Sequence, residues 1–217
     1  MKKKRILAML LAVTSCLSLA VSASAANTVN RKATDFRDFD KSAWYAEAVS
    51  AAVDNGLLYG KSATVIDPNG DMTRAEMAAI INRSFGCYKA ADISQYKDVA
   101  KSKWYYKDVA MAVQMGTYNG RSSSAMAPDA PISRQEAMTV VARALELDYD
   151  SYSKTDLSTF SDRSEISNWA LPYVRAMVGA DYIHGRGKTL APLDNITRAE
   201  FAQIFYNIIG TYIVSKG

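Results

Sequence analysis

Apolar residues recur at helical spacing in six stretches of the chain, and the stretches come in three pairs. The first stretch of each pair follows a tryptophan, and its apolar positions are Ala48, Val49, Ala52 and Val53, then Val109 and Val113, then Val174, Met177 and Val178. The second stretches carry Ala78, Ile81 and Phe85, then Val140, Val141, Ala144 and Leu145, then Phe201, Ile204, Phe205 and Ile208. Positions three and four apart share one face of a helix, so the pattern predicts three helix-loop-helix units.

The three units are copies of one repeat, spanning 36–86, 96–147 and 160–210. Every copy opens with an aromatic residue, any residue and an Asp, and the aspartates are Asp38, Asp98 and Asp162. A Trp follows, then a loop Gly, and these positions are Trp44 and Gly60, Trp104 and Gly120, and Trp169 and Gly185. Six residues after a loop Pro stands an Arg, at Arg74, Arg134 and Arg198. Matched offsets in three copies identify an internal repeat.

The second helix of every repeat has a well-marked start. A Ser or Thr stands three residues before a Glu, the pattern of a capping box in which each side chain bonds the other's backbone amide. The pairs are Thr73 with Glu76, Ser133 with Glu136, and Thr197 with Glu200. Each predicted cap is worth about 1 kcal/mol of helix stability.

One helix pair cannot bury its apolar face alone, whereas three pairs can share a core. The sequence therefore predicts a mainly α-helical domain with approximate threefold internal symmetry. A short leader at 26–35 and polar connectors at 87–95 and 148–159 complete the chain, and we expect the connectors to be surface loops.

The first 25 residues have a different character. A basic start precedes an apolar run and an Ala-x-Ala site, which together are typical of a secretory signal peptide cleaved after Ala25. An alternative is a lipoprotein, in which Cys16 of a lipobox-like Val-Thr-Ser-Cys stretch becomes the lipidated first residue. The expected location is the cell wall or cell surface, and we expect no membrane span in the mature chain.

Removing that segment changes the charge balance. It holds four of the 26 basic residues and none of the 22 acidic ones, so the mature chain would be formally neutral. We therefore expect no nucleic-acid partner, and any anion site must be local. Cys87 alone would remain after cleavage, which excludes an intrachain disulfide.

The recurring Arg is the residue that helix physics explains least well, because a cation in the first helical turn opposes the helix dipole. Either free helix amides and the Arg bind a carboxylate or phosphate, or Arg74, Arg134 and Arg198 tie one repeat to the next by ion pairs. Local physics favours neither.

The other repeated residues also have two interpretations. A Trp at the start of an amphipathic helix is more often core than a ring for stacking on a sugar. Asp38, Asp98 and Asp162 bond local backbone or contact a sugar, and the loop glycines permit a positive φ or the approach of a ligand. Catalysis finds little support, since His184 is the sole His and no nucleophile, metal or cofactor motif is present.

These residues resemble the S-layer homology (SLH) domain. Met72-Thr73-Arg74-Ala75-Glu76 and the segment 196–200, Ile-Thr-Arg-Ala-Glu, match its signature closely, while 132–136 has Ser for Thr and Gln135 for Ala. The resemblance extends over about residues 36–210. It implies three SLH repeats around a central helical bundle, with ligand grooves between the repeats.

In similar proteins the grooves hold the secondary cell wall polymer, often through pyruvylated N-acetylmannosamine, and some relatives bind modified peptidoglycan instead. By this resemblance Arg74, Arg134 and Arg198 grip the ketal carboxylate, while the tryptophans, aspartates and loop glycines shape the grooves. The loop Asn-Gly is intact only at Gly120, and Gln135 is expected to enlarge its site, so the three grooves are expected to differ.

Three functions follow, in order of preference. The first is a non-catalytic glycan-binding protein, for which Arg74→Ala combined with Arg198→Ala is expected to abolish wall binding without loss of fold. The second is an adaptor that self-assembles or recruits a separate cargo protein to the envelope. The last is a wall-degrading enzyme.

Overall fold

A computed structural model describes residues 31–214, with side chains described as far as Ile209. The α-helices are α1 (Ala46–Asp54), α2 (Arg74–Phe85), α3 (Tyr106–Gln114), α4 (Arg134–Ala144), α5 (Leu171–Gly179) and α6 (Arg198–Val214). Three short 3-10 turns lie at Ala33–Asp35, Asp150–Tyr152 and Arg163–Glu165. The described part contains no β-strand, so the predicted mainly α fold of three helix-loop-helix repeats is confirmed.

The repeats close into a ring. The second helix of each repeat packs on the first helix of the next, so α2 contacts α3, α4 contacts α5, and α6 returns to contact α1. The third repeat therefore neighbours the first, as an approximate threefold axis requires. In addition, α2 and α4 contact each other.

A cycle of three backbone hydrogen bonds marks that axis. The amide of Met72 donates to the carbonyl of Ile196, that of Ile132 donates to Met72, and that of Ile196 donates to Ile132, each at 3.0 Å. All three side chains are fully buried. Because these residues come two positions before the Arg of each repeat, the cycle fixes where α2, α4 and α6 begin.

The apolar stripes seen in the sequence lie in the core, including Ile81, Val141 and Phe205. The first helices end where expected. Gly56 and Gly116 take the left-handed conformation with φ of 65° and 74°, and Asp181 takes it with φ of 63° at the equivalent place in the third repeat. Asp is among the side chains that tolerate this conformation, which explains how the third repeat dispenses with Gly.

The expected burial of the tryptophans is wrong. Trp44, Trp104 and Trp169 are 61%, 60% and 51% exposed. The residue after each Trp is buried instead, namely Tyr45, Tyr105 and Ala170. Each Trp precedes the first residue of its helix. The helical spacing that predicts the buried apolar positions therefore does not apply to the Trp.

None of the helices within residues 31–214 is long and apolar enough to cross a membrane. The signal-peptide and lipoprotein predictions lie outside the described residues.

Candidate functional site

The recurring arginines are buried and form ion pairs between repeats. Arg74, Arg134 and Arg198 are only 3–4% exposed. Arg74 Nη1 lies 3.0 Å from Glu136 Oε1, Arg134 Nη1 lies 3.0 Å from Glu200 Oε1, and Arg198 Nη1 lies 3.5 Å from Glu76 Oε1. The arginine of one repeat thus pairs with the capping glutamate of the next, which is the second of the two interpretations that the sequence allowed.

Further donors of each guanidinium bind loop carbonyls of the neighbouring repeat. Arg74 Nε donates to Met126 O at 2.9 Å, and its Nη2 donates to Asn119 O at 3.0 Å. Arg134 Nε donates to Leu190 O at 2.8 Å. Arg198 donates to the carbonyls of Ile66 and Tyr59. Each buried charge is therefore both paired and hydrogen-bonded, as burial requires.

The helix N-termini do not offer the free amides that the first of the two interpretations required. The Arg74 amide donates to Ala130 O at 3.0 Å and the Ala75 amide donates to Pro128 O at 2.9 Å. The Glu76 amide donates to Thr73 Oγ1 at 3.2 Å within the capping box. The other two repeats bind their helix amides in the same way. An anion can therefore reach these sites only through side chains.

The three capping glutamates connect the network. Each accepts a hydrogen bond from the backbone amide of its capping residue: Thr73, Ser133 or Thr197. Burial by itself would raise the pKa of Glu136, but the Ser133 amide and the charges of Arg74 and Arg121 outweigh burial and lower it. The pKa values of Glu76 and Glu200 are lowered as well, against the effect of burial. All three glutamates consequently carry a negative charge that holds two cations.

The second cation is exposed and was missed from the sequence. Lys61, Arg121 and Arg186 pair with Glu76, Glu136 and Glu200 at 2.6, 3.2 and 2.6 Å. Their side chains are 34%, 45% and 37% exposed. A basic residue directly after the loop Gly in all three repeats was the available signal. We call Lys61, Arg121 and Arg186 the rim cations.

An open cleft of about 500 Å³ lies beside one rim cation. Trp44 of the first repeat, Arg134 of the second, and Gly185, Arg186 and Glu200 of the third all line it. The cleft thus brings together the Trp, Arg and loop Gly predicted from the sequence, but each from a different repeat. Since α6 packs on α1, the Trp that faces a loop comes from the following repeat.

The helix contacts of the ring imply equivalent surfaces at the other two repeat boundaries. Because α2 packs on α3 and α4 on α5, the positions equivalent to Trp44 and Arg186 are Trp104 with Lys61, and Trp169 with Arg121. We call these three surfaces the inter-repeat grooves. Each groove combines a Trp ring, a rim cation and an ion-paired buried Arg. The Trp ring can contact the flat apolar face of a ligand, and the cation can contact a negative group.

The repeated aspartates bind backbone. Asp98 accepts hydrogen bonds from the amides of Met126 and Ala127, and Ala127 has a left-handed φ of 53°. Asp38 and Asp162 hold the equivalent pairs of amides. Each of these bonds joins residues that are 28 or 29 positions apart in the sequence, so the aspartates do not cap a local turn. They lower the pKa of Asp98 although burial would raise it, so the carboxylate clamps a strained loop.

The loop glycines are required by close packing. A Cβ at Gly120 would lie 2.5 Å from both Ser122 O and Tyr96 Cε1. Gly60 meets Phe36 and Ser62 O at similar distances, and Gly185 meets Phe160 while also having φ of 76°. The sequence suggested that the loop glycines permit either a positive φ or the approach of a ligand, and a positive φ occurs only at Gly185. The aromatic residue that opens each repeat thus packs against its loop Gly.

Replacing Gly120 with Ala should lower the free energy of unfolding by about 1 to 3 kcal/mol, because the added methyl group must displace backbone or a packed ring. Urea denaturation followed by circular dichroism would measure this change. The exposed Ser123→Ala is the matched control in the same loop, and it should change stability by less than about 0.5 kcal/mol. Equal stability of the two variants would contradict the packing role of the glycine.

Gln135 does not enlarge a groove. It is 5% exposed, and its amide group exchanges hydrogen bonds with Ser167, at 3.1 Å to Oγ and 3.0 Å from N. This side chain fastens α4 to the segment just before Trp169.

His184 lines the cleft beside Trp44. Cys87 is half-buried, and its thiol donates to the carbonyls of Lys89 and Met111 at 3.5 Å. No group of three potential metal ligands occurs among the described residues.

Comparison with known proteins agrees with this architecture. The S-layer homology domain matches residues 35–78, 95–138 and 159–202. The surface-layer 125 kDa protein of Lysinibacillus sphaericus is 35% identical over 82% of the chain and 15% of its own length. An endoglucanase of Bacillus sp. (strain KSM-635) is 26% identical over 95% of the chain and 22% of its own length.

The S-layer protein sap of Bacillus anthracis is 22% identical over 88% of the chain and 23% of its own length. The chain therefore spans less than a quarter of each of these relatives. Because the matched segments include most of the three repeats and cover more than half of the sequence, the chain belongs to the S-layer homology domain family.

Proposed function

We propose that this protein is a non-catalytic cell-wall-binding protein that attaches to an anionic wall polysaccharide through the inter-repeat grooves. The proposal rests on one observation: an exposed Trp and an exposed cation from different repeats, Trp44 and Arg186, line the same cleft. Similarity to surface-layer proteins supports a place at the cell surface. The endoglucanase name belongs to a much longer relative.

The exposed tryptophans fit a sugar ligand. A solvent-facing indole ring of this size is unfavourable in water, and a sugar ring can cover it with its apolar face. Burial of the neighbouring Tyr45 and Tyr105 anchors the segments that carry Trp44 and Trp104. Each ring also makes an edge contact with that tyrosine, at centroid distances of 5.6 and 5.4 Å. The stacking surface is therefore held in place before a ligand arrives.

The cations fit a carboxylate such as that of a pyruvyl ketal. In this proposal the rim cation contacts the carboxylate directly, because its side chain is exposed. The buried arginine, for example Arg134, lies at the floor of the groove, where it pairs with Glu200 and contributes positive potential. In the grooves of Lys61 and Arg121, one glutamate between two cations leaves a net positive charge, which favours an anionic ligand.

The grooves differ in charge. Arg186 also pairs with Asp194 at 2.7 Å, so its charge is shared by two carboxylates. Arg121 has a single carboxylate partner among the described residues, and Arg121 is the most exposed rim cation. We therefore propose that the groove formed by Trp169 and Arg121 binds the anion more strongly than the groove formed by Trp44 and Arg186.

Replacing Trp169 with Ala should weaken wall binding about tenfold while the fold is kept, since an exposed ring contributes its energy mainly in the complex. Co-sedimentation with purified cell walls would measure the binding, and circular dichroism would verify the fold. Tyr88→Ala is the control, because Tyr88 is 83% exposed and lies outside the groove-forming loops. Walls stripped of pyruvyl groups should bind the unaltered protein weakly. Equal binding to intact and stripped walls would exclude the ketal carboxylate as the ligand.

A further inference from the structure

The connector before the third repeat forms a cleft that the threefold repeat does not account for. Near its middle the connector touches the backbone of α5, since a Cβ at Gly179 would lie 2.4 Å from Thr155 Oγ1 and 2.6 Å from Tyr152 Cδ1. Towards the start of α5 an open cleft of about 540 Å³ remains. Residues 153–158, Arg163, Leu171 and Arg175 line it.

The cleft concentrates positive charge. Lys154, Arg163 and Arg175 line it together with one carboxylate, Asp156. That carboxylate is engaged by Ser158, whose amide and hydroxyl donate to it at 2.8 and 2.7 Å. Within the part of the chain that the structure describes, none of the three cations has a carboxylate within ion-pair distance. The rim cations, by contrast, are each paired.

Arg175, which lines the cleft, has an unused donor. Its Nε atom is shielded from solvent and has no hydrogen-bond partner. Shielded N–H groups in folded proteins are nearly always bonded, and a guanidinium presents its donors in a fork suited to an oxyanion. The bond from Arg163 Nη1 to Phe160 O is long, at 3.4 Å. Arg163 therefore retains donor capacity for a bound anion, and Arg175 lines the cleft with one of its donors unused.

The arrangement belongs to the third repeat alone. The positions equivalent to Arg175 are Ser50 in α1 and Ala110 in α3, and those equivalent to Gly179 are Asp54 and Gln114. Neither earlier repeat therefore has a cation at the position of Arg175. In the second repeat the connector meets the helix differently, since the Ala91 amide donates to Ala110 O at 3.0 Å. The cleft is separate from the inter-repeat grooves, which draw on Trp169 rather than on Arg175.

We propose that this cleft is a second anion site and that it binds a phosphate group. Two guanidinium groups and an ammonium carry three positive charges, whereas a carboxylate carries only one negative charge. A phosphate offers three or four oxygens and up to two negative charges to the same donors, with the hydroxyls of Thr155 and Ser158 beside them. The phosphate can be free or part of an envelope polymer.

The test is titration of the full chain with inorganic phosphate and, separately, with a glycerol phosphate oligomer, followed through backbone amide signals by NMR. We expect saturable shifts at residues 153–158 and at Arg175. Arg163→Gln combined with Arg175→Gln should weaken the binding at least about tenfold. Lys89→Gln, an exposed lysine in the connector before the second repeat, is the control and should leave the binding unchanged.

If the double variant loses its fold, Lys154→Gln with Arg163→Gln provides the test, because both side chains are exposed. Tighter binding of the oligomer than of phosphate would identify a polymer as the source, and equal binding would identify free phosphate. Absence of saturable shifts with both probes would overturn the proposal. Loss of the saturable shifts when only the rim cations are replaced would also overturn the proposal, because the anion would then lie in an inter-repeat groove.

Discussion

Replacing Arg74 with Gln should lower the free energy of unfolding by about 3 to 5 kcal/mol, because Glu136 loses its buried cation and the shielded loop carbonyls lose their donors. Arg74 is 4% exposed, pairs with Glu136, and binds the carbonyls of Met126 and Asn119. Urea denaturation monitored by circular dichroism would measure the loss.

The chain offers a matched control at the same glutamate. Arg121 also pairs with Glu136, but its side chain is 45% exposed, so Arg121→Gln should change stability by less than about 1 kcal/mol. The two variants remove the same charge from the same carboxylate and differ in burial. Equal effects would mean that burial of Arg74 contributes nothing to stability.

This prediction changes how the arginines can be tested for binding. Arg74→Ala combined with Arg198→Ala was expected from the sequence to remove binding and keep the fold. Since both arginines close the ring of repeats, we now expect that pair of substitutions to unfold the protein. Loss of wall binding by such a variant would say nothing about the ligand.

Replacing Lys61, Arg121 and Arg186 together with Gln should reduce wall affinity about 100-fold or more, while the chain still folds. Each exposed cation is expected to contribute a charge-assisted hydrogen bond, worth about tenfold in affinity when lost. Grooves that engage one polymer at the same time multiply their effects. Co-sedimentation with walls over a range of protein concentrations would measure the affinity.

The control triple replaces Lys89, Lys97 and Lys101 with Gln. These lysines are exposed, and none lines the cleft beside Trp44. The control has the same net charge as the rim-cation triple, so general attraction to an anionic wall falls equally in both. If both triples lose affinity to the same extent, bulk charge rather than the grooves holds the protein on the wall.

Local signals sufficed for much of the fold. The capping pairs, such as Ser133 with Glu136, depend on residues three positions apart, so their hydrogen bonds follow from short-range geometry. Helical stripes identified buried positions such as Ile81 and Phe205 for the same reason. Equal spacing in three copies then indicated that the repeats share a core and a common site.

Long-range geometry decided the rest. The sequence placed Arg74 in the first turn of α2, but only the closed ring brings it within 3.0 Å of Glu136, which is 62 residues away. Trp44 follows no helical period, so its exposure and its position beside Gly185 depend on how α6 packs on α1. Spacing along the chain thus determined the repeat, its helices and their caps, because those interactions join residues close in sequence. Tertiary packing determined which repeat each groove residue faces, because those contacts join residues that the chain itself keeps far apart.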